Sequence, residues 1–141
     1  MTRVDLYLTR AGQGGAKELT VCKLAHKAFR LQHQIYILAA SAEEAAHLDK
    51  LLWTFSAGTF IPHALLTQER RYEVPVLIGD QDPPETWQDV LISLTATVPQ
   101  WFERFQRVVD VVGPTETAKD RARERFRLYR DRGCTVQTHN V

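Results

Sequence analysis

The sequence predicts an α/β fold in which a mainly parallel sheet lies between two layers of helices. Short apolar runs rich in Val, Ile and Leu alternate with longer stretches whose apolar residues recur at helical spacing. The order strand, helix, strand, helix is typical of parallel strands joined by crossover helices. The length of 141 residues suits one ordinary domain, so we expect a single domain spanning residues 1–141.

In the first half of the chain, Ser41 and Glu44 mark the start of a helix as a capping box. Phe60–His63 is predicted to be a short edge strand, because Pro62 has no N–H to donate within a central ladder. The other predicted elements are strands over Val4–Leu8 and Ile35–Ala39, a helix over Ala16–Gln32, and a helix from Ser41 to about Trp53.

The second half contains more buried strands and one strongly basic helix. Gly113 and Pro114 end the strand before this helix, and Gly133 is expected to be its C-cap. Strands are predicted over Val74–Ile78, Val90–Leu94, Arg107–Val112 and Cys134–Gln137, with a short helix over Trp101–Gln106.

Composition excludes several classes of protein. The formal net charge is only +1, whereas a general nucleic-acid coat protein is usually strongly basic. No apolar run is long enough to span a bilayer, and the N-terminal segment lacks the apolar core of a signal peptide. We therefore expect a cytoplasmic protein without membrane contact. Cys22 and Cys134 are too few for a disulfide scaffold and are interpreted as small hydrophobic residues.

Motifs for catalysis, metals and cofactors are incomplete. The loop Gly12–Gly15 lies between the first strand and the first helix, where doubly wound folds bind phosphates. However, Lys17 replaces the third glycine of the dinucleotide fingerprint, and the P-loop ending is absent. No histidine or cysteine spacing matches a zinc site. We expect no catalytic residue, metal or cofactor, and keep a small nucleotide-binding enzyme using this loop as an alternative.

The basic helix is the strongest functional signal. Residues 117–132 contain seven Lys or Arg and three acidic residues, a local charge of +4. At 100° per residue, Ala118, Ala122, Phe126 and Tyr129 form one stripe. The cations form two rows beside this stripe, with Lys119, Arg123, Arg127 and Arg130 on one side and Arg121, Arg125 and Arg132 on the other.

This pattern leaves three interpretations open. In the first interpretation, the stripe faces the core and the arginines extend past its margins to solvent. Alternatively, Phe126 stays partly open, so that an acidic peptide places its aromatic ring beside it and its carboxylates on Arg123 and Lys119. In the third interpretation, the arginine rows bind the phosphates of single-stranded DNA directly.

A second candidate surface lies in the central tract Leu48–His63, which reads LDKLLWTFSAGTFIPH. Trp53 and Phe60 are large apolar residues in a segment of poor periodicity. Either they are buried in the core, or they form an exposed patch that binds another protein, since aromatic residues are enriched at interface hot spots.

Together these tracts resemble the chi subunits of bacterial DNA polymerase III. The resemblance covers nearly the whole chain and depends on the order and spacing of three tracts. They are the central tract, DVLISL at Asp89–Leu94, and VVDVV at Val108–Val112 running into the basic helix. The family implies an α/β fold of Rossmann-like or P-loop-like topology without a phosphate loop, and a non-catalytic accessory subunit of the polymerase in DNA replication.

The resemblance also implies two binding surfaces. One takes the psi subunit, which links chi to the clamp loader, and carries Trp53, Phe60 and Pro62; in some members it also takes a helicase-like partner. The other takes the acidic, Phe-terminated C-terminal tail of the single-stranded DNA-binding protein, so contact with DNA is mostly indirect. Its matching positions are Val112, Lys119, Arg123, Phe126 and Arg127. The family often has Tyr at position 126, and Gly113-Pro114 departs from its pattern.

Overall fold

The computed structural model describes residues 2–10, 16–58, 60–66 and 73–141. Its centre is a seven-stranded sheet in the order β3-β4-β2-β5-β6-β1-β7, and all six pairs of neighbouring strands are parallel. The strands are β1 (Arg3–Leu8), β2 (Ile35–Leu38), β3 (His63–Leu65), β4 (Val76–Gly79), β5 (Val90–Ser93), β6 (Arg107–Val112) and β7 (Thr135–Asn140).

Helices cover both faces of the sheet, which confirms the predicted three-layer α/β fold. The helices are α1 (Ala16–Arg30), α2 (Ala42–Thr54) and α3 (Glu116–Asp131), with one 3₁₀ turn over Phe102–Arg104. Side chains of β2 alternate between the two cores, as the period of a strand requires. Ile35 and Ile37 pack in the core under α1 and α2, whereas Tyr36 and Leu38 pack in the core under α3.

Local sequence signals account for most element boundaries. The side chain of Ser41 accepts a hydrogen bond from the N–H of Glu44, whose carboxylate in turn accepts one from the N–H of Ala40. The predicted capping box is therefore confirmed, with its return bond reaching one residue further back. The strand over Arg107–Val112 and the left-handed glycine at position 133, with φ of +83°, also match the prediction.

Three predicted elements are placed differently in the structure. The strand expected at Phe60–His63 begins only at His63, although β3 does lie at the sheet edge, because Pro62 offers no N–H to the ladder. The short helix at Trp101–Gln106 is a single 3₁₀ turn. The last strand runs from Thr135 to Asn140 rather than ending at Gln137, because its polar residues still pair with β1 over six positions.

Gly133 provides a test of backbone conformation at the end of α3. Its positive φ disfavours any side chain, although no atom lies within 4 Å of the place where a Cβ would stand. We expect Gly133→Ala to lower the free energy of unfolding by about 1–2 kcal/mol, as measured by urea denaturation. In the control Gly113→Ala, the new Cβ would meet Ala118 Cβ at 3.6 Å, an ordinary contact, and stability should be unchanged or slightly higher. Equal losses in both variants would contradict the backbone explanation.

A buried carboxylate stabilises the β1–β6–β7 end of the sheet. Asp5 is fully buried and accepts hydrogen bonds from Arg107 at 3.0 Å and His139 at 2.9 Å, while Arg3 lies 3.4 Å away. Burial alone would raise the pKa of Asp5, but the bonds from His139 and Arg107 and the charges of Arg107 and Arg3 outweigh burial. The pKa of Asp5 is therefore lowered from its ordinary 3.8.

This shift predicts a dependence of stability on acid. The contribution of Asp5 is fully present above the ordinary pKa of 3.8 that applies to the unfolded chain, and it is lost as the pH falls through the lower folded-state pKa. We expect Asp5→Asn to lower the free energy of unfolding at pH 7 by about 1–2 kcal/mol and to flatten its decline below about pH 4. Urea denaturation across that range measures both effects. Asp131→Asn, at an exposed position, is the control, and an unchanged acid slope in Asp5→Asn would exclude this mechanism.

Candidate functional site

Helix α3 is positioned by caps at both ends. Strand β6 ends at Val112, and the Thr115 side chain then accepts a hydrogen bond from the N–H of Ala118 at 3.1 Å, which caps the first turn. At the other end, the Cys134 N–H donates to the Tyr129 carbonyl oxygen at 3.1 Å, across the left-handed Gly133. The helix therefore lies along β6, β1 and β7, on the face of the sheet opposite α1.

The apolar stripe of α3 is only partly buried. Ala122 and Tyr129 are buried in the core, as the predicted stripe requires, whereas Ala118 and Phe126 are half-buried at its margin. The ring of Phe126 is thus packed against the core but retains an accessible side. The interpretation that this ring is wholly enclosed is excluded.

An open hollow of about 370 Å³ lies between α3 and strands β1 and β7. Leu6, Leu8 and Ala122 give it an apolar floor, and the ring of Phe126 lies beside them. Its remaining lining residues are Lys119, Arg123, Arg127, Arg130 and Thr138. The structure therefore brings together four of the five positions assigned to the tail-binding surface, namely Lys119, Arg123, Phe126 and Arg127.

Val112 occupies a different place from these four residues. Its side chain is buried in the core beneath α3 and does not line the hollow. Its carbonyl oxygen accepts hydrogen bonds from the N–H and the hydroxyl of Thr9, at 3.1 Å and 2.6 Å. Val112 supports the end of β6 from which α3 departs, and it presents no surface to a ligand.

The hollow is electrostatically positive. Four cationic side chains line it, and no acidic residue is among the described residues that do so. Lys119 lies 3.8 Å from Glu116, Arg123 is bonded to the exposed Asp120, and the Arg130 guanidinium lies 6.0 Å from the Phe126 ring centroid. In the described part of the chain, Arg127 has no ion-pair or hydrogen-bond partner. Such an arrangement fits an anion that also carries an apolar group.

Several residues that line the hollow were not predicted from the sequence. The alternation of β1 places Leu6 and Leu8 on the same face, but nothing in the sequence indicates that β7 lies next to β1. Because that pairing brings Thr138 beside Leu6, the floor and far wall of the hollow depend on tertiary structure. Arg130 had a visible signal, since it belongs to the same predicted row as Arg123 and Arg127.

Arg125 departs from the interpretation in which the arginines on both margins of the stripe extend to solvent. It is buried and binds the buried Asp110 through Nε at 2.8 Å and Nη2 at 3.0 Å. The Tyr129 hydroxyl donates to the same carboxylate at 2.9 Å. Burial, reinforced by the Asp110 charge, raises the pKa of Tyr129. Burial lowers the pKa of Arg125, but its bonds to Asp110 outweigh this, so the net shift is upward.

The second candidate surface lies at the opposite edge of the sheet, on α2 and the segment before β3. Trp53 is 50% exposed and Phe60 is 62% exposed, and their ring centroids are 5.4 Å apart. Pro62, two residues after Phe60, is half-buried. The buried ring of His63 lies 4.4 Å from the Trp53 ring, between the carbonyl oxygens of Ile61 and Asp49. The structure therefore favours an exposed aromatic patch here over core residues.

The remaining candidates contribute little. The loop Gly12–Gly15 falls outside the described residues. Among the residues that are described, no group of three or more His, Cys, Asp or Glu is arranged to hold a metal ion. Over the same residues, none of the helices combines the length and apolarity needed to cross a membrane. Cys22 is buried, and burial raises the pKa of its thiol to about 12, so this cysteine has little thiolate character.

Comparisons with known proteins identify the family. A family model described as DNA polymerase III chi subunit, HolC, matches residues 1–137. The chi subunit of Pseudomonas aeruginosa is 36% identical over 141 residues, covering 100% of this chain and 98% of that protein. The chi subunit of Escherichia coli K12 is 33% identical over 124 residues, covering 87% of this chain and 84% of that protein. The chain therefore belongs to the chi subunit family of DNA polymerase III, whose members are accessory subunits in DNA replication.

Proposed function

We propose that this protein joins the clamp loader to single-stranded DNA-binding protein, and that it does so without a catalytic site of its own. The observation that carries the proposal is the hollow between α3 and the β1–β7 strands, where an accessible ring is surrounded by four cations. The occupant proposed for it is the acidic, Phe-terminated C-terminal tail of single-stranded DNA-binding protein. The psi subunit is proposed to bind the patch of Trp53, Phe60 and Pro62.

The chemistry of the hollow matches such a tail. The terminal Phe ring packs beside Phe126 on the apolar floor of Leu6 and Leu8, where it leaves water. Carboxylates of the tail replace Asp120 as the partner of Arg123, and they pair with Lys119. An arginine fork holds a carboxylate through two parallel hydrogen bonds, which a lysine cannot do. Affinity then requires both the ring and the negative charges.

The two surfaces lie at opposite edges of the sheet. The tail hollow is next to β7 and the aromatic patch is next to β3, which are the two outermost of the seven strands. Strands lie about 4.8 Å apart, so the edges are separated by roughly 29 Å. Two partners can therefore bind at the same time, as a bridging subunit requires.

Tethering explains how a weak contact is sufficient. Each tetramer of single-stranded DNA-binding protein carries several copies of the tail, so a released tail is quickly replaced by a neighbour at high local concentration. The bridge would hold the polymerase complex to coated lagging-strand DNA and assist the hand-off of the primer. The protein itself need not touch DNA. A helicase-like partner is proposed to bind the same aromatic patch, so its binding and that of psi exclude each other.

The tail assignment is tested by calorimetric titration with a synthetic peptide of several Asp residues ending in Phe with a free carboxylate. Binding should occur at fixed moderate salt and should be lost when the final Phe is replaced by Ala. If single-stranded DNA displaces the peptide when both supply the same concentration of negative charge, the result favours direct binding of DNA. Absence of peptide binding would reject the proposed function.

The psi assignment predicts a selective loss. We expect Phe60→Ala to weaken psi binding by about 1–2 kcal/mol, since truncation of an exposed aromatic anchor removes interface packing, and to leave the affinity for the tail peptide unchanged. Coexpression with psi followed by size-exclusion chromatography and titration measures both. Leu31→Ala is the matched control, because Leu31 is also 62% exposed but directly follows the end of α1 at Arg30. Full psi affinity in Phe60→Ala would contradict the assignment.

A further inference from the structure

One buried carboxylate ties α3 to the sheet at two successive turns. Asp110 lies on β6, with its side chain directed toward α3 and almost fully buried. Residues 125 and 129 are one helical turn apart, and both bond to its carboxylate, Arg125 through two nitrogens and Tyr129 through its hydroxyl. Arg125 also donates from Nη1 to the Ala96 carbonyl oxygen at 3.0 Å, which links the helix to the segment after β5.

These bonds are made on one side of α3, and the hollow lies on the adjoining side. With 100° per residue, Arg125 and Tyr129 lie within about 40° of each other around the helix axis. The six lining residues of α3 (Lys119, Ala122, Arg123, Phe126, Arg127 and Arg130) occupy an adjoining arc, from about 60° to 200° away from Arg125. Fixing the rotation of Arg125 and Tyr129 therefore fixes the direction of every cation at the hollow.

Apolar packing alone specifies this rotation weakly. On the buried face, Ala118 and Ala122 are small, and Tyr129 is the large side chain that is fully buried. A helix resting on two alanines, the buried ring of Tyr129 and the half-buried ring of Phe126 has limited shape to oppose a roll about its axis. A directional, bidentate ion pair is better suited to impose a unique arrangement than to increase stability.

We propose that Asp110, Arg125 and Tyr129 are positioning residues for the tail-binding hollow, because they set the rotation of α3 and thereby aim Arg123, Phe126 and Arg127 at the ligand. This inference depends on the proposed function of the hollow. The three residues do not contact the ligand. Their effect on binding passes entirely through the orientation of the helix.

The test separates orientation from stability by replacing all three polar side chains at once. The triple variant Asp110→Leu, Arg125→Met, Tyr129→Phe leaves no unpaired buried charge, and such apolar replacements are often neutral or stabilising. We expect its thermal midpoint to be near that of the wild type, while its affinity for the Phe-terminated acidic peptide falls at least tenfold. Arg121→Met, at an exposed position of α3 that does not line the hollow, is the control and should stay within about twofold of wild-type affinity. A folded triple variant with wild-type affinity would overturn the proposal.

Two further measurements keep the result decisive. If the triple variant does not fold, Arg125→Lys is used instead, because lysine retains the charge but cannot form two parallel hydrogen bonds. Severalfold weaker peptide binding by folded Arg125→Lys protein supports the proposal, and unchanged affinity overturns it. If the wild type itself binds no peptide, the proposed function fails, and rotation is read directly by NMR. In the wild type, the rings of Phe102 and Tyr129, whose centroids are 5.3 Å apart, should give an NOE. The triple variant should lose the NOE between Phe102 and residue 129, and a retained NOE would overturn the inference.

Discussion

Arg123→Ala is expected to weaken binding of the acidic, Phe-terminated tail peptide by about 1.5–3 kcal/mol, the scale of a charge-assisted hydrogen bond. Arg123 lines the hollow and is exposed, and its present partner Asp120 is itself exposed and easily replaced. Isothermal titration at fixed salt measures the change. Because the variant removes only surface atoms, its thermal midpoint should remain close to that of the wild type.

The control for this prediction is Arg121→Ala on the same helix. It removes the same charge from an exposed position that does not line the hollow, so long-range electrostatics change equally while the local contact is preserved. Arg123→Lys, which keeps the charge but loses the fork, should lie between the wild type and Arg123→Ala. Equal losses in Arg121→Ala and Arg123→Ala would show that only net charge matters, contrary to a defined carboxylate site.

Asp110→Ala is expected to have the largest effect on stability, lowering the free energy of unfolding by about 3–5 kcal/mol. The substitution removes the acceptor of three hydrogen bonds and leaves the guanidinium of Arg125 buried without its counter-ion. An uncompensated buried charge is far more costly than the loss of the pair as a whole. Urea denaturation followed by circular dichroism measures the loss.

Asp131→Ala serves as the control for Asp110→Ala, since it removes an exposed carboxylate from the same part of the molecule and should change stability by less than about 0.5 kcal/mol. A small effect of Asp110→Ala, similar to the control, would mean that Arg125 reaches solvent in solution. The buried ion pair would then be absent, and the positioning of α3 by Asp110 would fail with it.

The fold was predictable because local signals agree with tertiary structure. The buried runs at Ile35–Leu38 and Val90–Ser93 are central strands, and their continuous hydrophobicity is what a sheet covered on both faces requires. Helix boundaries followed from caps at Ser41 and Gly133. Edge strands were less predictable, because β3 and β7 are short or polar and are specified by their neighbours rather than by their own hydrophobicity.

Only the part of the candidate site that lies on α3 could be predicted from the sequence. The periodicity of α3 places Lys119, Arg123 and Phe126 together, whereas the position of Leu6 and Leu8 below them depends on the pairing of β1 with β7. The spacing of charges also gave no means of distinguishing Arg125 from its neighbours. Its partner Asp110 lies in a strand that reads as an apolar run with one acid, and only the packing of α3 on β6 brings the two together.

We propose that the hollow between α3 and strands β1 and β7 binds an acidic peptide through its terminal Phe. The most direct measurement is a titration of ¹⁵N-labelled protein with that peptide, followed by amide chemical shifts. We expect saturable shifts in α3 and at Leu6, Leu8 and Thr138, with none at Trp53 or Phe60. Shifts confined to the α2–β3 edge, or their absence at saturating peptide, would contradict it.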